Sequence, residues 1–163
     1  MRTANIQFEE EFLDGYGHVS IYGLKLSTEI VAALWGKFRK HLKRKYFVDA
    51  SISFIGSENI TFLVLCNGAY ADRHNINSHL YFDRFVDNFQ RIITDFQDLI
   101  QSIVDDENFE DYKNNKTEII NLAYKYQPDM DNTSREERKR RKRVEKARRV
   151  QKALAKKATQ QNT

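Results

Sequence analysis

Apolar and polar residues alternate in two pairs of short segments, and this alternation predicts β-hairpins. The first pair covers residues 4–13 and 18–26, which flank the turn-forming sequence Asp-Gly-Tyr-Gly. The second pair covers residues 50–55 and 60–66, which flank Gly-Ser-Glu-Asn. The segment 60–66 is almost entirely apolar, so we expect it to be a central strand that is covered on both faces.

Three further segments place apolar residues at the three- and four-residue spacing of amphipathic helices. The predicted helices cover about 28–46, 79–104 and 117–126, with Ser27 or Thr28, Ser78 and Thr117 as their N-caps. The last of these helices ends before Pro128, the single proline of the chain. The polar segments 67–78 and 105–116 are predicted as loops.

The order of elements is therefore β-β-α-β-β-α-α, followed by a further helix at the C-terminus. This order predicts an α+β fold, in which one antiparallel sheet of two hairpins has the helices packed on one face. The compact domain is predicted over residues 1–128 and a linker over 129–133. A basic helical tail over 134–158 and a disordered end over 159–163 complete the expected organisation.

Composition excludes several classes of protein. No segment approaches the ~20 consecutive apolar residues that a membrane-spanning helix requires, and the first residues lack the apolar core of a signal peptide. The lone Cys66 lies in an apolar run, where it is expected to be a small buried hydrophobic residue. We therefore expect a soluble, intracellular protein of the cytoplasm, without a cofactor.

Charge is distributed very unevenly along the chain. The segment 135–157 contains thirteen Lys and Arg against three Glu, a local charge of +10. Because the whole chain carries only +4, residues 1–134 carry −6. A strongly basic segment beside an acidic body is typical of proteins that bind a polyanion, most often nucleic acid.

The basic segment has the features of a helix with a defined start. Ser134-Arg-Glu-Glu137 fits a capping box, in which the serine hydroxyl and the glutamate side chain satisfy each other's backbone amides. Basic residues recur within the helix at three- and four-residue spacing, which predicts phosphate contacts on one side. The residues predicted to make these contacts are Arg138, Arg141, Lys142, Arg149 and Lys152.

A second basic stretch, residues 37–45, carries six Lys and Arg on the first predicted helix. Lys40, Lys43 and Arg44 are predicted as a secondary nucleic-acid site. A solvated helix face explains this stretch equally well.

Other roles for the basic tail remain open. It can be a solubilising extension, a cover for the acidic body, or a dimerising helix through Ala147, Val150 and Leu154. A protein-interaction module, such as a virion component or an inhibitor of a host complex, would instead use the acidic helix 79–104, which carries Asp83, Asp87, Asp95 and Asp98.

Two short motifs bear on catalysis. Arg-His-Asn-Ile-Asn-Ser-His at 73–79 resembles the histidine–asparagine core of a metal-dependent nuclease. The same loop and helix start contain Asp72, His74, His79 and Asp83, residue types that suit Zn²⁺ or Mn²⁺. Their spacing matches no metal-site template and ordinary loop residues explain them equally well, so no metal site is predicted. Phe-Leu-Asp-Gly-Tyr-Gly at 12–17 resembles the end of a LAGLIDADG homing-endonuclease helix over six residues. The flanking strand patterns favour a hairpin turn there, with Asp14 as a turn residue.

The expected function is therefore non-enzymatic binding of DNA or RNA through the phosphate backbone, in an accessory protein of a virus or mobile element. The protein-interaction module and the metal-dependent nuclease are the two alternatives. The first would bind a protein partner through the acidic helix, and the second would lose cleavage when His74 or His79 is replaced.

Overall fold

The computed structural model describes residues 5–56, 59–131 and 135–161, with the backbone alone for 135–138 and 159–161. The chain forms two compact units, Met1–Asp131 and Asn132–Thr163. The first unit includes a 3₁₀ turn at Pro128–Met130, in which Met130 is fully buried. The start of the predicted linker 129–133 is thus packed structure.

Four strands form one antiparallel sheet, and the α+β prediction is confirmed. The strands are β1 (Gln7–Leu13), β2 (Tyr16–Tyr22), β3 (Ala50–Phe54) and β4 (Ile60–Cys66), in the spatial order β1-β2-β4-β3. The hairpin turn between β1 and β2 is confirmed, and Gly15 adopts a positive φ of 88° there. Such a conformation favours glycine, which has no Cβ to clash with the backbone.

The described residues also form six helices, five in the first unit and one in the second. They are α1 (Thr28–Lys45), α2 (Gly68–Arg73), α3 (Ser78–Val104), α4 (Phe109–Tyr112), α5 (Lys116–Tyr126) and α6 (Arg135–Gln161). Two of them, α2 and α4, lie in segments that were predicted as loops. The N-cap side chain of Asn67 starts α2, and burial of Phe109 anchors α4.

The helix ends differ in detail from the predictions. Ser27 caps α1 as expected, but α3 and α5 are capped by Asn77 and Asn115, each one or two residues before the predicted cap. The last helix continues to Gln161, so residues 159–161 of the predicted disordered end are helical. The predicted capping box depends on Ser134 and on the side chain of Glu137, which lie outside the described part of the chain.

The core lies between the inner face of the sheet and the apolar faces of α1, α3 and α5. Trp35 occupies its centre, with ring centroids 5.2 Å from Phe38, 6.0 Å from Phe62 and 5.0 Å from Phe96. The indole nitrogen of Trp35 donates a hydrogen bond to the Ala50 carbonyl at 2.9 Å, so the buried polar atom is satisfied. None of the described helices is long and apolar enough to cross a membrane.

Strand β4 is central, as predicted, but the expectation that both of its faces are covered is wrong. Ile60, Phe62 and Val64 face the helices and are buried, whereas the alternating residues Thr61, Leu63 and Leu65 face away from them. The described helices of the first unit pack on the opposite side of the sheet, so none of them covers the second apolar face of this strand.

Gly17→Ala is expected to destabilise the first unit by about 1–3 kcal/mol, because the new methyl group would overlap the ring of Phe89. That ring is buried and packs against Phe12 and Phe85, so it has little room to move. Urea unfolding measures the change. Gly36→Ala is the matched control, since a Cβ there meets open space within a helix and is expected to stabilise slightly. Equal stability of the two variants would contradict this packing.

Candidate nucleic-acid interface

The helix α6 is 27 residues long, or about 40 Å. It contains no Gly or Pro and is rich in Ala, Lys, Arg and Gln, all of which favour helix formation. Every side chain from 139 to 158 is exposed. The basic groups of this helix are therefore presented to solvent along several turns.

The predicted phosphate-binding residues fall on one side of α6. An α-helix turns by about 100° per residue, so positions 138, 141, 142, 149 and 152 lie within an arc of about 100°. Lys156, which follows the same three- and four-residue spacing, also lies within this arc. Arg148, which was not predicted, lies at its edge. These seven residues, Arg138, Arg141, Lys142, Arg148, Arg149, Lys152 and Lys156, are called the basic face. It extends over about 27 Å of the helix axis.

Glu145 interrupts the basic face with a negative charge. Its carboxylate accepts a hydrogen bond from Nη2 of Arg149 at 2.7 Å, an i,i+4 pair within the helix. Both side chains are largely exposed, so the pair contributes little to stability. Its functional consequence is larger, because it engages an arginine of the basic face and lowers the local positive potential.

The opposite side of α6 is apolar in its C-terminal half. A sector of about 120° on this side contains Val144, Val150 and Leu154. These side chains are 49%, 50% and 60% exposed. From residue 144 onward no charged residue lies in this sector. The apolar face and the basic face are therefore separate surfaces of one helix.

The basic stretch on α1 is organised differently, because half of its cations form pairs within the first unit. Arg39 makes two hydrogen bonds of 2.7 Å to the buried carboxylate of Asp49. The bond to Asp49 raises the pKa of Arg39. Burial would raise the pKa of Asp49, but hydrogen bonds from Arg39 and Asn67 outweigh it and lower that pKa. This pair fixes the C-terminal half of α1 to the residue that precedes β3.

His41 forms a second polar cluster with two aspartates. Its ring nitrogens lie 2.7 Å from a carboxylate oxygen of Asp129 and 2.9 Å from one of Asp95. Lys45 and Tyr46 also donate to Asp95, at 3.0 Å and 2.7 Å. Burial would raise the pKa of Asp95, but the donors around it lower it. Asp95 is therefore engaged within the fold and is not part of an open acidic surface on α3.

The predicted secondary site keeps three cations with different surroundings. Arg44 is exposed, whereas Lys40 is half-buried, and burial together with the nearby charge of Lys37 lowers its pKa. Nζ of Lys43 lies 4.0 Å from the Asp49 carboxylate. The α1 surface is consequently less positive than its sequence indicates.

Acid is expected to unfold the first unit through three carboxyl groups, Asp49, Asp95 and Asp106. Burial would raise the pKa of Asp106, but donors from Tyr126, the Asn108 amide and Lys125 lower it, so all three pKa values are depressed. Their contribution is complete above the unfolded pKa of about 3.9 and is lost as the pH falls through the folded values. Between the unfolded and the folded pKa, each group lowers the unfolding free energy by up to about 1.4 kcal/mol for each pH unit of acidification.

Urea unfolding between about pH 7 and pH 3 tests this dependence. The unfolding free energy should be level near neutral pH and fall below about pH 4, with a shallower fall in Asp106→Asn. An unfolding free energy that does not change over this range would contradict the assignment.

The residues that resemble a nuclease core do not converge. All four side chains, Asp72, His74, His79 and Asp83, are exposed. The His74 ring contacts that of Tyr70 in a tilted arrangement, with ring centroids 4.5 Å apart. Within the described ranges, no three or more His, Cys, Asp or Glu side chains are grouped as metal ligands. The geometry therefore gives the nuclease alternative no support.

Fold and site together define a class: an α+β protein that carries an exposed helix with one basic and one apolar face. Comparison with protein-family models, with curated proteins and with solved structures gives no match.

Proposed function

We propose that the protein binds nucleic acid through the basic face of α6, without catalysing a reaction. The observation that supports this proposal is the placement of seven cations within about one third of the helix circumference. Neutralising phosphates releases condensed counterions, which makes a cation-rich surface of this length an effective polyanion site.

The dimensions suit a nucleic-acid backbone. A helix of about 10–12 Å in diameter enters the major groove of B-DNA, which is about 12 Å wide. The length of the basic face, about 27 Å, corresponds to about eight base pairs at 3.4 Å each. Arginine and lysine contacts to phosphate carry little sequence information, so binding is expected to be largely independent of sequence. Lys40, Lys43 and Arg44 form the secondary site in this proposal, weakened by the internal pairing on α1.

The experiment is a salt series with the full chain. Fluorescence anisotropy with labelled duplex DNA, single-stranded DNA and RNA, each of about 20 nucleotides, gives the dissociation constant at several salt concentrations. Five to seven phosphate contacts predict a log–log slope of about −4 to −6 on duplex DNA. Absence of binding at low salt, or a slope near zero, would overturn the proposal. The ranking of the three ligands then identifies the preferred nucleic acid.

Glu145→Gln is expected to tighten binding by about three- to tenfold at low salt, because it removes the negative charge within the basic face and releases Arg149 from its pair. The same anisotropy assay measures the change. Glu136 and Glu137 lie in the same helix, but Glu118 on α5 offers a cleaner control, because it lies in the first unit. If Glu118→Gln tightens binding as much as Glu145→Gln does, net charge rather than the basic face controls affinity.

A further inference from the structure

The outer face of the sheet carries an apolar row that no described helix of the first unit covers. Leu13, Tyr16 and Leu65 are in register across β1, β2 and β4. Leu13 and Leu65 are 37% and 38% exposed, although both are large aliphatic residues. In the next row across the sheet, Leu63 of β4 is paired with His18 of β2.

This composition is unusual for the solvent side of an antiparallel sheet, which normally alternates apolar inward and polar outward residues. Strand β4 departs from that alternation, with a sequence typical of a strand that is covered on both faces. The sequence of β4 and the exposure of Leu65 are two separate observations, and both indicate that a second layer packs here.

The charges on the outer face of the sheet indicate the chemistry of the layer that would pack on it. The outward residues of the four strands include Glu9 and Glu11 but no Lys or Arg. Glu11 is in register with His18, and Glu9 accepts a hydrogen bond from the Tyr22 hydroxyl at 3.3 Å. The carboxylates beside the apolar row repel a phosphate backbone. The face therefore favours a protein segment that combines apolar and cationic residues.

The chain itself contains a segment with these properties. The apolar face of α6 presents Val144, Val150 and Leu154, and cations flank it on both sides. We propose that the outer face of the sheet is a docking surface for α6 of a second copy of this chain. Two such contacts, exchanged reciprocally about a twofold axis, would form a dimer.

Nucleic acid would bind the basic face of α6, whereas the second copy would bind its apolar face. Either interaction can therefore occur without the other. Docking buries Val144, Val150 and Leu154, whereas the basic face lies on the other side of the helix and remains accessible. A reciprocal dimer would present two basic faces to one nucleic acid. The dimer does not depend on nucleic-acid binding, and it is tested without nucleic acid.

Sedimentation velocity of the full chain, free of nucleic acid and over about 1–100 μM, is the first test. We expect a concentration-dependent dimer that Leu65→Lys weakens about tenfold or more, because a cation would then face a cationic helix. Leu154→Lys in α6 should weaken it similarly. Leu80→Lys is the matched control: Leu80 is exposed on α3, on the opposite side of the sheet, and should leave the dimer unchanged.

Mixing the two variant chains distinguishes a helix-on-sheet exchange from other dimers. In a homodimer of either variant, both helix-on-sheet contacts contain a substituted residue. In the mixed dimer, one contact joins the unchanged helix of the Leu65→Lys chain to the unchanged sheet of the Leu154→Lys chain. We therefore expect the mixture to dimerise more strongly than either variant alone. If Leu65→Lys alters the circular dichroism spectrum, Glu11→Lys replaces it as the test variant. This change reverses a charge on the same face of the sheet and is also expected to weaken the dimer.

Three outcomes would overturn this proposal. The first is a wild-type chain that stays monomeric throughout the concentration range, which would leave the face open or assign it to another occupant. The second is a dimer that Leu65→Lys or Leu154→Lys does not weaken. The third is a mixture that gains nothing over the separate variants.

Discussion

Replacing Asp49 with alanine is expected to destabilise the first unit by about 3–5 kcal/mol, because it leaves the Arg39 guanidinium without its buried partner. The carboxylate of Asp49 is fully buried and accepts both hydrogen bonds from Arg39, as well as one from the Asn67 amide at 2.8 Å. The loss therefore leaves several donors unsatisfied at one place in the fold.

The position of Asp49 increases the expected effect. Its backbone amide and carbonyl lie 3.0 Å and 2.9 Å from the hydroxyl of Tyr81, which also donates to the Asn67 carbonyl. The pair between Asp49 and Arg39 thus joins α1, the start of β3 and α3 at one point. A buried charged pair is a poor source of net stability, but breaking one is costly.

Urea unfolding of Asp49→Ala, Arg39→Leu and the double variant forms a thermodynamic cycle. We expect a coupling free energy of about 1–3 kcal/mol between the two residues. The control is Asp83→Ala, an exposed aspartate on α3, which should change stability by about 0.5 kcal/mol or less. A similar loss in Asp49→Ala and Asp83→Ala would show that the buried pair does not support the fold.

Neutralising five residues of the basic face is expected to weaken nucleic-acid binding by about a thousandfold at 0.1 M salt. The variant changes Arg138, Arg141, Lys142, Arg149 and Lys152 to glutamine, which keeps a good helix former at each position. For each phosphate contact that is lost, the nucleic acid keeps one condensed counterion, and the favourable release of that ion is lost. The five losses of binding free energy therefore add up.

A matched variant separates position from net charge. It changes five cations outside the basic face to glutamine: Lys139, Arg140, Arg143, Lys146 and Lys157. Both variants carry the same formal charge and differ only in the side of the helix that is neutralised. We expect the matched variant to lose about tenfold or less, through the weaker long-range field. Circular dichroism checks that both variants retain their helices.

Much of the fold follows from local patterns. The hairpins, α1 and the long α3 were predictable because their apolar residues repeat with the period of a strand or a helix over many positions. The short helices α2 and α4 were not, since a single turn is too brief to show a period, and it forms when a cap such as Asn67 or a buried residue such as Phe109 stabilises it. The uncovered face of β4 was also missed, because an apolar run indicates how much a strand can bury but not what is available to cover it.

The candidate site shows the same division. The basic face was predictable because helical geometry alone places its residues, and applying the same geometry to every cation would also have found Arg148. The pairing of Arg39 with Asp49, and of His41 with Asp95 and Asp129, was not predictable, since these partners lie 10 to 88 residues apart in the sequence. The sequence therefore overestimated both the basic surface of α1 and the acidic surface of α3.

The most direct measurement of the central claim is the salt dependence of binding for the two five-residue variants on the same duplex. If the basic face holds the phosphates, its neutralisation reduces the log–log slope by about four to five units, and neutralisation of the other side leaves the slope close to that of the wild-type chain. Equal slopes in the two variants would contradict the account, because they would mean that total charge, and not one face of α6, determines how the protein binds.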